Sequence, residues 1–159
     1  MIRLPPLSTL FPNTTLFRSP YTFESAVSDA VAAANYAKTL EQIAGEHIGV
    51  MGWRQGGTDA LLCAARAADV FTSVVTWAGA PDLSDMLTDE LYEQAKANGY
   101  FVMDFDWREP LNVSLQWCED VKNTDVLGEF EAGYTGPVLA IASRSEEHTS
   151  ELQSHHDLV

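Results

Sequence analysis

The chain has 159 residues, of which 46% are hydrophobic and 20% charged, a composition typical of one folded domain rather than of a disordered segment. Nine basic against 23 acidic residues give a net charge of −14, which argues against nucleic acid and anionic membrane surfaces as partners. No apolar run approaches the roughly 20 residues needed to span a bilayer, and two cysteines are too few for a disulfide scaffold.

The two ends of the chain resemble translated library-preparation DNA rather than natural protein. The string TLFPNTTLFRS near the start matches the translation of a short-read sequencing adapter, except that Asn13 replaces a tyrosine. The string RSEEHTSELQS near the other end matches the translation of the opposite adapter at every position. We therefore leave residues 1–19 and 144–159 out of the fold reasoning, as for tags, and expect residues 20–143 to be a partial domain.

Excluding the ends also changes which metal ligands are available. His148, His155 and His156 belong to the adapter-like end, so His47 is the histidine that remains. A histidine-rich tail would otherwise suggest metal binding. We expect no metal and no cofactor, and the remaining segment keeps its large acidic excess.

Hydrophobic periodicity predicts alternating helices and strands in the first half of this segment. Apolar residues at helical spacing predict an amphipathic helix over residues 23–43, which Gly45 would end. The apolar run of residues 48–53 predicts a strand buried on both faces, as in a parallel sheet. A helix over residues 55–68 and a β-branched strand over residues 72–78 follow.

The second half is less regular. A helix is predicted over residues 83–97, ended by Gly99, and another over residues 111–121, whereas residues 100–109 show no clear period. Residues 138–142 predict a third strand. The alternation predicts an α/β fold with a parallel sheet, and three strands alone would leave apolar surface exposed.

One motif carries chemistry. The string GWRQGG at residues 52–57 joins the first strand to its helix with the spacing of a nucleophile elbow, G-x-S-x-G. Such a turn is so tight that its central residue, here Arg54, takes a strained backbone, and the flanking glycines leave room for it. The next backbone N–H, that of Gln55, can stabilise an oxyanion at the helix N-terminus. Gly57 would let the helix pack closely on neighbouring strands.

With this motif the segment resembles the α/β-hydrolase superfamily, in particular its dienelactone-hydrolase, prolyl-oligopeptidase and cinnamoyl-esterase-like branches. IGVMGWRQGGTDALLCAAR resembles their strand–elbow–helix unit, VVTWAGAPDLS the next strand, and GPVLAIAS the strand before the catalytic acid. The resemblance implies an incomplete α/β-hydrolase fold, a parallel sheet fragment with flanking helices and a partial lid region near residues 83–130. It also implies a serine nucleophile and a small-molecule ester or amide substrate for the intact parent.

The chain departs from this family at the position that matters most. Arg54 stands where serine is implied, and an always-protonated guanidinium cannot attack a carbonyl. The catalytic acid would follow residues 138–142, where the adapter match begins, and the catalytic histidine would lie further downstream. We therefore expect an inactive fragment of a serine-type acyl hydrolase, and we favour an esterase over a serine peptidase as the parent enzyme. The alternative is a non-catalytic α/β binding domain in which the arginine at position 54 is genuine. The sequence does not fix the cellular compartment of the protein, although the cytoplasm is favoured.

Overall fold

A computed structural model of the protein describes residues 21–43, 45–105 and 108–142. The adapter-like ends predicted at residues 1–19 and 144–159 lie outside the described residues. In chain order the elements are α1 (Phe23–Ala37), β1 (Gly49–Trp53), α2 (Gln55–Arg66), β2 (Ser73–Trp77), a 3-10 turn (Ser84–Met86), α3 (Asp89–Asn98), β3 (Tyr100–Phe105), β4 (Arg108–Ser114), α4 (Leu115–Asn123), α5 (Val126–Gly133) and β5 (Val138–Ile141).

Three strands form the predicted parallel sheet, in the order β1–β2–β5. Parallel strands need crossover connections, and α2 supplies the crossover between β1 and β2. The register aligns the carboxyl ends of the strands, since Trp53 pairs with Trp77 and Trp77 pairs with Ile141. These three ends therefore meet at one edge, which is where open α/β sheets place their ligands.

The hydrophobic core lies on one face of this sheet, around α2. Leu61 and Leu62 of α2 have no exposed surface, and Phe23 of α1 and Phe130 of α5 are buried in the same cluster. A helix that packs against a sheet on one side and two helices on the other is apolar over most of its circumference. This explains the run of Ala and Leu in the α2 sequence.

The opposite face of the sheet is uncovered in the described part of the chain, and we call it the open face. Alternate residues of the three strands share this face, and its large apolar side chains are 36–60% exposed: Met51, Trp53, Trp77, Leu139 and Ile141. The prediction of a strand buried on both faces is therefore wrong for β1 within the described residues. Parallel strands are apolar because two layers normally cover them, and the described elements provide one layer.

α1 ends before the position that the apolar spacing predicted. The Thr39 hydroxyl and its backbone N–H both donate hydrogen bonds to the Tyr36 carbonyl, at 2.7 and 2.9 Å. This tight turn competes with continuation of the α-helix. Leu40 and Ile43, which the spacing assigned to the buried stripe, are exposed.

The segment predicted as one helix over residues 83–97 divides into the 3-10 turn and α3. Thr88 separates them, because its Oγ1 accepts a hydrogen bond from the Leu91 backbone N–H at 3.3 Å and so caps α3. Gly99 follows the end of α3 in the left-handed conformation, at φ 82°, as the sequence predicts. The helix prediction is thus confirmed for the α3 part alone.

β3 and β4 form an antiparallel hairpin that the periodicity does not predict. The helix expected over residues 111–121 begins only at Leu115, because the Ser114 Oγ caps it by accepting from the Trp117 backbone N–H at 3.2 Å. Just before this cap, Val113 of β4 pairs with Phe101 of β3, and both side chains are buried. A short apolar run does not distinguish a strand from a helix by spacing alone.

Candidate active site

Arg54 lies at the junction of β1 and α2. Its backbone has φ 52° and ψ −123°, a region that residues with a Cβ rarely occupy and that costs about 1–3 kcal/mol. Its N–H donates to the Trp77 carbonyl at 2.9 Å, and its own carbonyl accepts from the Gly57 N–H at 2.8 Å. The neighbouring strand and the first helical turn therefore hold the strained residue on both sides.

Close backbone approach explains the glycines around Arg54. A Cβ on Gly52 would lie 1.6 Å from the Gly56 carbonyl oxygen, so no side chain fits at position 52. A Cβ on Gly57 would lie 2.7 Å from the Cα of Gly79, in the loop after β2. A Cβ on Gly56 would meet nothing within 4 Å. The tight turn thus needs Gly52, and the packing of α2 on the β2 exit loop needs Gly57.

The Arg54 side chain is exposed and lies over an aromatic ring. Its guanidinium carbon is 5.1 Å from the centroid of the Trp53 ring, a cation–π contact. The N-terminus of α2 already carries positive potential from the aligned peptide dipoles, so it does not favour a cation there. The guanidinium offers donors only, and it cannot serve as a nucleophile or as a base.

Gln55 is the first residue of α2. The first backbone N–H groups of a helix have no acceptor within the helix and form a site that favours negative charge. Gln55 therefore has the position in the fold from which its N–H would serve an oxyanion. Its role as the oxyanion donor stays a prediction.

The described residues bring no histidine to Arg54. His47 is the histidine among the described residues. It is exposed and precedes β1, whereas Arg54 follows β1. At about 3.3 Å per residue, the strand separates the two by about 20 Å. The catalytic acid expected after β5 lies outside the described residues.

Within the residues that the structure describes, no group of three or more His, Cys, Asp or Glu side chains is placed to hold a metal ion. None of the helices described is both long and apolar enough to cross a bilayer.

A half-buried carboxyl group on α2 was not found by sequence reasoning. The Tyr21 hydroxyl donates a hydrogen bond to Asp59 Oδ1. Burial raises the pKa of Asp59 from its ordinary 3.8 to about 6, although this hydrogen bond acts in the opposite direction. Burial, followed by the charge of Asp59, raises the pKa of the Cys63 thiol to about 11, so this thiol is a poor nucleophile. No periodicity or motif distinguishes Asp59 from a surface carboxylate in the sequence.

We expect Asp59→Asn to remove a pH dependence of stability. Because the folded-state pKa lies above the unfolded one, the unfolded chain loses this proton first, and stability is lost as pH rises from about 4 through about 6. The group is partly exposed, so the loss should be about 1–2 kcal/mol. Urea unfolding between pH 4 and 7 measures the difference between parent and variant, with Asp69→Asn, an exposed carboxyl, as the control. Parallel pH profiles of parent and Asp59→Asn would contradict the burial of this group.

Arg54→Gly should raise the free energy of unfolding by about 1 kcal/mol. Glycine adopts φ 52° without a Cβ clash, and the relieved strain exceeds the lost stacking on Trp53. Arg54→Ala keeps the Cβ and loses the stacking, so it should be no more stable than the parent. Urea midpoints compare the three chains, and equal stability of the two variants would show that position 54 is relaxed in solution.

The sheet order, the α2 crossover and the Arg54 junction define a partial α/β-hydrolase fold, and comparison with solved structures agrees. Est1E from Butyrivibrio proteoclasticus matches with a TM-score of 0.59 and 18% identity, over 83% of this chain and 55% of that one. A structure of ferulic acid bound to Est1E matches with a TM-score of 0.50 and 15% identity, over 85% of this chain and 66% of the other. The chain thus spans between about half and two thirds of these structures.

The sequence itself places the chain in a family. The model of the prolyl oligopeptidase family matches residues 23–130, more than half of the chain. The chain belongs to the prolyl oligopeptidase family. The match includes the β1–Arg54–α2 unit and ends before β5. No curated protein matches the sequence significantly.

Proposed function

We propose that the chain is part of a serine-type acyl hydrolase, with carboxylic esters as the first substrate class, and that the chain itself is inactive. The observation that carries this proposal is the backbone of Arg54, strained at a strand–helix junction and followed directly by the first N–H of α2. Strained backbone persists where surrounding structure holds it, and it concentrates at functional sites. Membership of the prolyl oligopeptidase family supports a hydrolase parent.

The geometry suits a hydroxyl at position 54. Such a hydroxyl would attack the acyl carbonyl carbon, expel the alcohol or amine, and leave an acyl-enzyme that water hydrolyses. The Gln55 N–H would stabilise the oxyanion formed in each step. A base must take the hydroxyl proton and later activate the water. The Arg54 guanidinium can neither attack the carbonyl carbon nor act as this base, and His47 is at the far end of β1.

The adapter interpretation belongs to the same proposal. We attribute residues 1–19 and 144–159 to translated adapter, and Arg54 to a single-base change, since the serine codon AGC differs by one base from arginine codons. On this interpretation the catalytic acid and histidine belong to the parent gene and are replaced here by adapter.

A non-catalytic binding domain is the second candidate. The exposed guanidinium of Arg54 is held over Trp53, which would orient it toward an anionic ligand. Against this, a binding arginine does not require the strained backbone of a nucleophile turn. The sequence of the source gene distinguishes the two candidates. A binding domain predicts an arginine codon at position 54 in an uninterrupted reading frame, whereas the hydrolase predicts a serine codon.

A thiol at position 54 tests the proposed nucleophile position without the missing base. We expect Arg54→Cys to react with p-nitrophenyl acetate in a single burst, as the thiolate displaces p-nitrophenolate and remains as a thioester. The helix N-terminus lowers the thiol pKa and the Gln55 N–H stabilises the oxyanion, so the reaction should be at least about tenfold faster than that of an ordinary exposed thiol. Background should be low, because the described cysteines, Cys63 and Cys118, are buried.

The matched control is Tyr36→Cys, because Tyr36 is exposed on α1 and is not part of the turn between β1 and α2. Equal burst rates of the two cysteine variants would contradict the nucleophile assignment. Arg54→Ser should show no ester turnover above the buffer blank, and turnover by it or by the parent chain would contradict the predicted inactivity.

A further inference from the structure

The open face is a continuous apolar patch on one side of the sheet. Its five large side chains, Met51, Trp53, Trp77, Leu139 and Ile141, are 36–60% exposed. With about 200 Å² for each fully exposed side chain, they present about 500 Å² of apolar surface. The largest apolar patch on a typical monomer is about 300–600 Å² and is often an interaction site. The open face therefore has the size of a contact surface.

The strand positions of the open face carry no charge, and one cation borders them, because the Arg54 guanidinium lies 5.1 Å from the centroid of the Trp53 ring. The other strand positions on this face are Gly49, Ser73 and Val75, so none of its strand residues carries an ionisable side chain. The whole chain carries −14, which makes two copies repel each other over most of their surface. An uncharged apolar partner fits this face, and a second open face has that character.

The ends of the chain are poorer occupants than a second copy. A helix that covers a sheet needs apolar residues along one side and no interior proline. Residues 1–20 contain Pro5, Pro6, Pro12 and Pro20. Residues 143–159 contain only three aliphatic residues, Leu152, Leu158 and Val159. Neither composition predicts a covering helix.

We infer that two copies of the chain pair through their open faces in a two-fold dimer. The pairing would bury about 1,000 Å² in total, the size of a weak, reversible interface, with the two sheets about 10 Å apart. β2 is the central strand, so its open-face residues Val75 and Trp77 lie nearest the two-fold axis. Because the same surface is used by both copies, the contact closes at two subunits. This inference is independent of the proposed function.

Sedimentation velocity over a range from micromolar to submillimolar concentration tests the dimer. We expect the parent chain to shift from monomer to dimer, and Met51→Lys and Leu139→Lys each to weaken dimerisation at least about tenfold, since a buried unpaired charge is costly. Tyr36→Lys is the matched control, because it adds the same charge at an apolar position that is 69% exposed on α1. It should leave the dimer unchanged.

Tryptophan emission gives a second measurement that needs no charged variant. Dimerisation covers Trp53 and Trp77, so emission should shift to shorter wavelength as concentration rises, and the shift should vanish in Trp53→Phe/Trp77→Phe. A parent chain that stays monomeric, species that grow beyond the dimer, or equal effects of Tyr36→Lys and Leu139→Lys would overturn the inference. A dimer that forms only after removal of residues 1–19 would also overturn it, because that end would then cover the face.

Discussion

Replacing Gly52 with alanine is expected to lower the free energy of unfolding by about 4 kcal/mol or to prevent folding. The new Cβ would lie 1.6 Å from the Gly56 carbonyl oxygen, far inside any van der Waals contact. Both groups are fixed, since Gly52 belongs to β1 and Gly56 to the first turn of α2. The strand and the helix would have to separate, and the hydrogen bonds that hold Arg54 would be lost. Urea unfolding followed by circular dichroism measures the effect.

Gly56→Ala is the matched control for this change. A Cβ at position 56 would meet nothing within 4 Å, and alanine is a better helix former than glycine. We expect Gly56→Ala to raise stability by about 0.5–1 kcal/mol. Similar effects at the two positions would mean that the turn between β1 and α2 is wider than described.

Leu61→Ala on the covered side of the sheet should cost about 3 kcal/mol. Leu61 has no exposed surface and lies in the cluster between the sheet and the surrounding helices, so its removal leaves a cavity that rigid neighbours cannot fill. The same truncation at Leu139, which is 54% exposed on the open face, removes little buried surface. We expect Leu139→Ala to cost less than about 1 kcal/mol.

The comparison of Leu61→Ala with Leu139→Ala must be made at low protein concentration, where the dimer proposed above is dissociated. Chemical denaturation at micromolar concentration provides this condition. Equal losses at both positions would contradict the one-sided core. A large loss at Leu139 that appears only at high concentration would instead report burial of the open face by a second copy.

The parallel sheet and the turn at position 54 were predictable because their signals are local. The apolar run of β1, the β-branched run of β2 and the glycines around Arg54 each favour one backbone geometry. The identity of the central residue did not prevent the prediction, because Gly52 and Gly57 carry the steric requirement. The end of α1 and the beginning of α3 were less predictable, since a hydrogen bond donated by the Thr39 hydroxyl decides the first and one accepted by the Thr88 hydroxyl decides the second.

The hairpin and α5 were not predicted, because tertiary contacts determine them. Phe101 is buried by its pairing with Val113 and by contact with the Trp117 ring, and neither Phe101 nor Val113 is part of a regular period. α5 begins at the Asp125 cap and buries Val126 and Phe130. A single four-residue step is too short to reveal a helical period in the sequence. Asp59 was missed because its raised pKa depends on burial in the folded chain, which the sequence does not show.

The nucleotide sequence of the source gene, read in single long molecules across codon 54 and beyond codon 143, tests the hydrolase assignment most directly. The assignment predicts a serine codon at position 54 and codons for an acid and a histidine downstream of β5. An arginine codon in an uninterrupted gene, with the residues after 143 encoded by the genome itself, would contradict it.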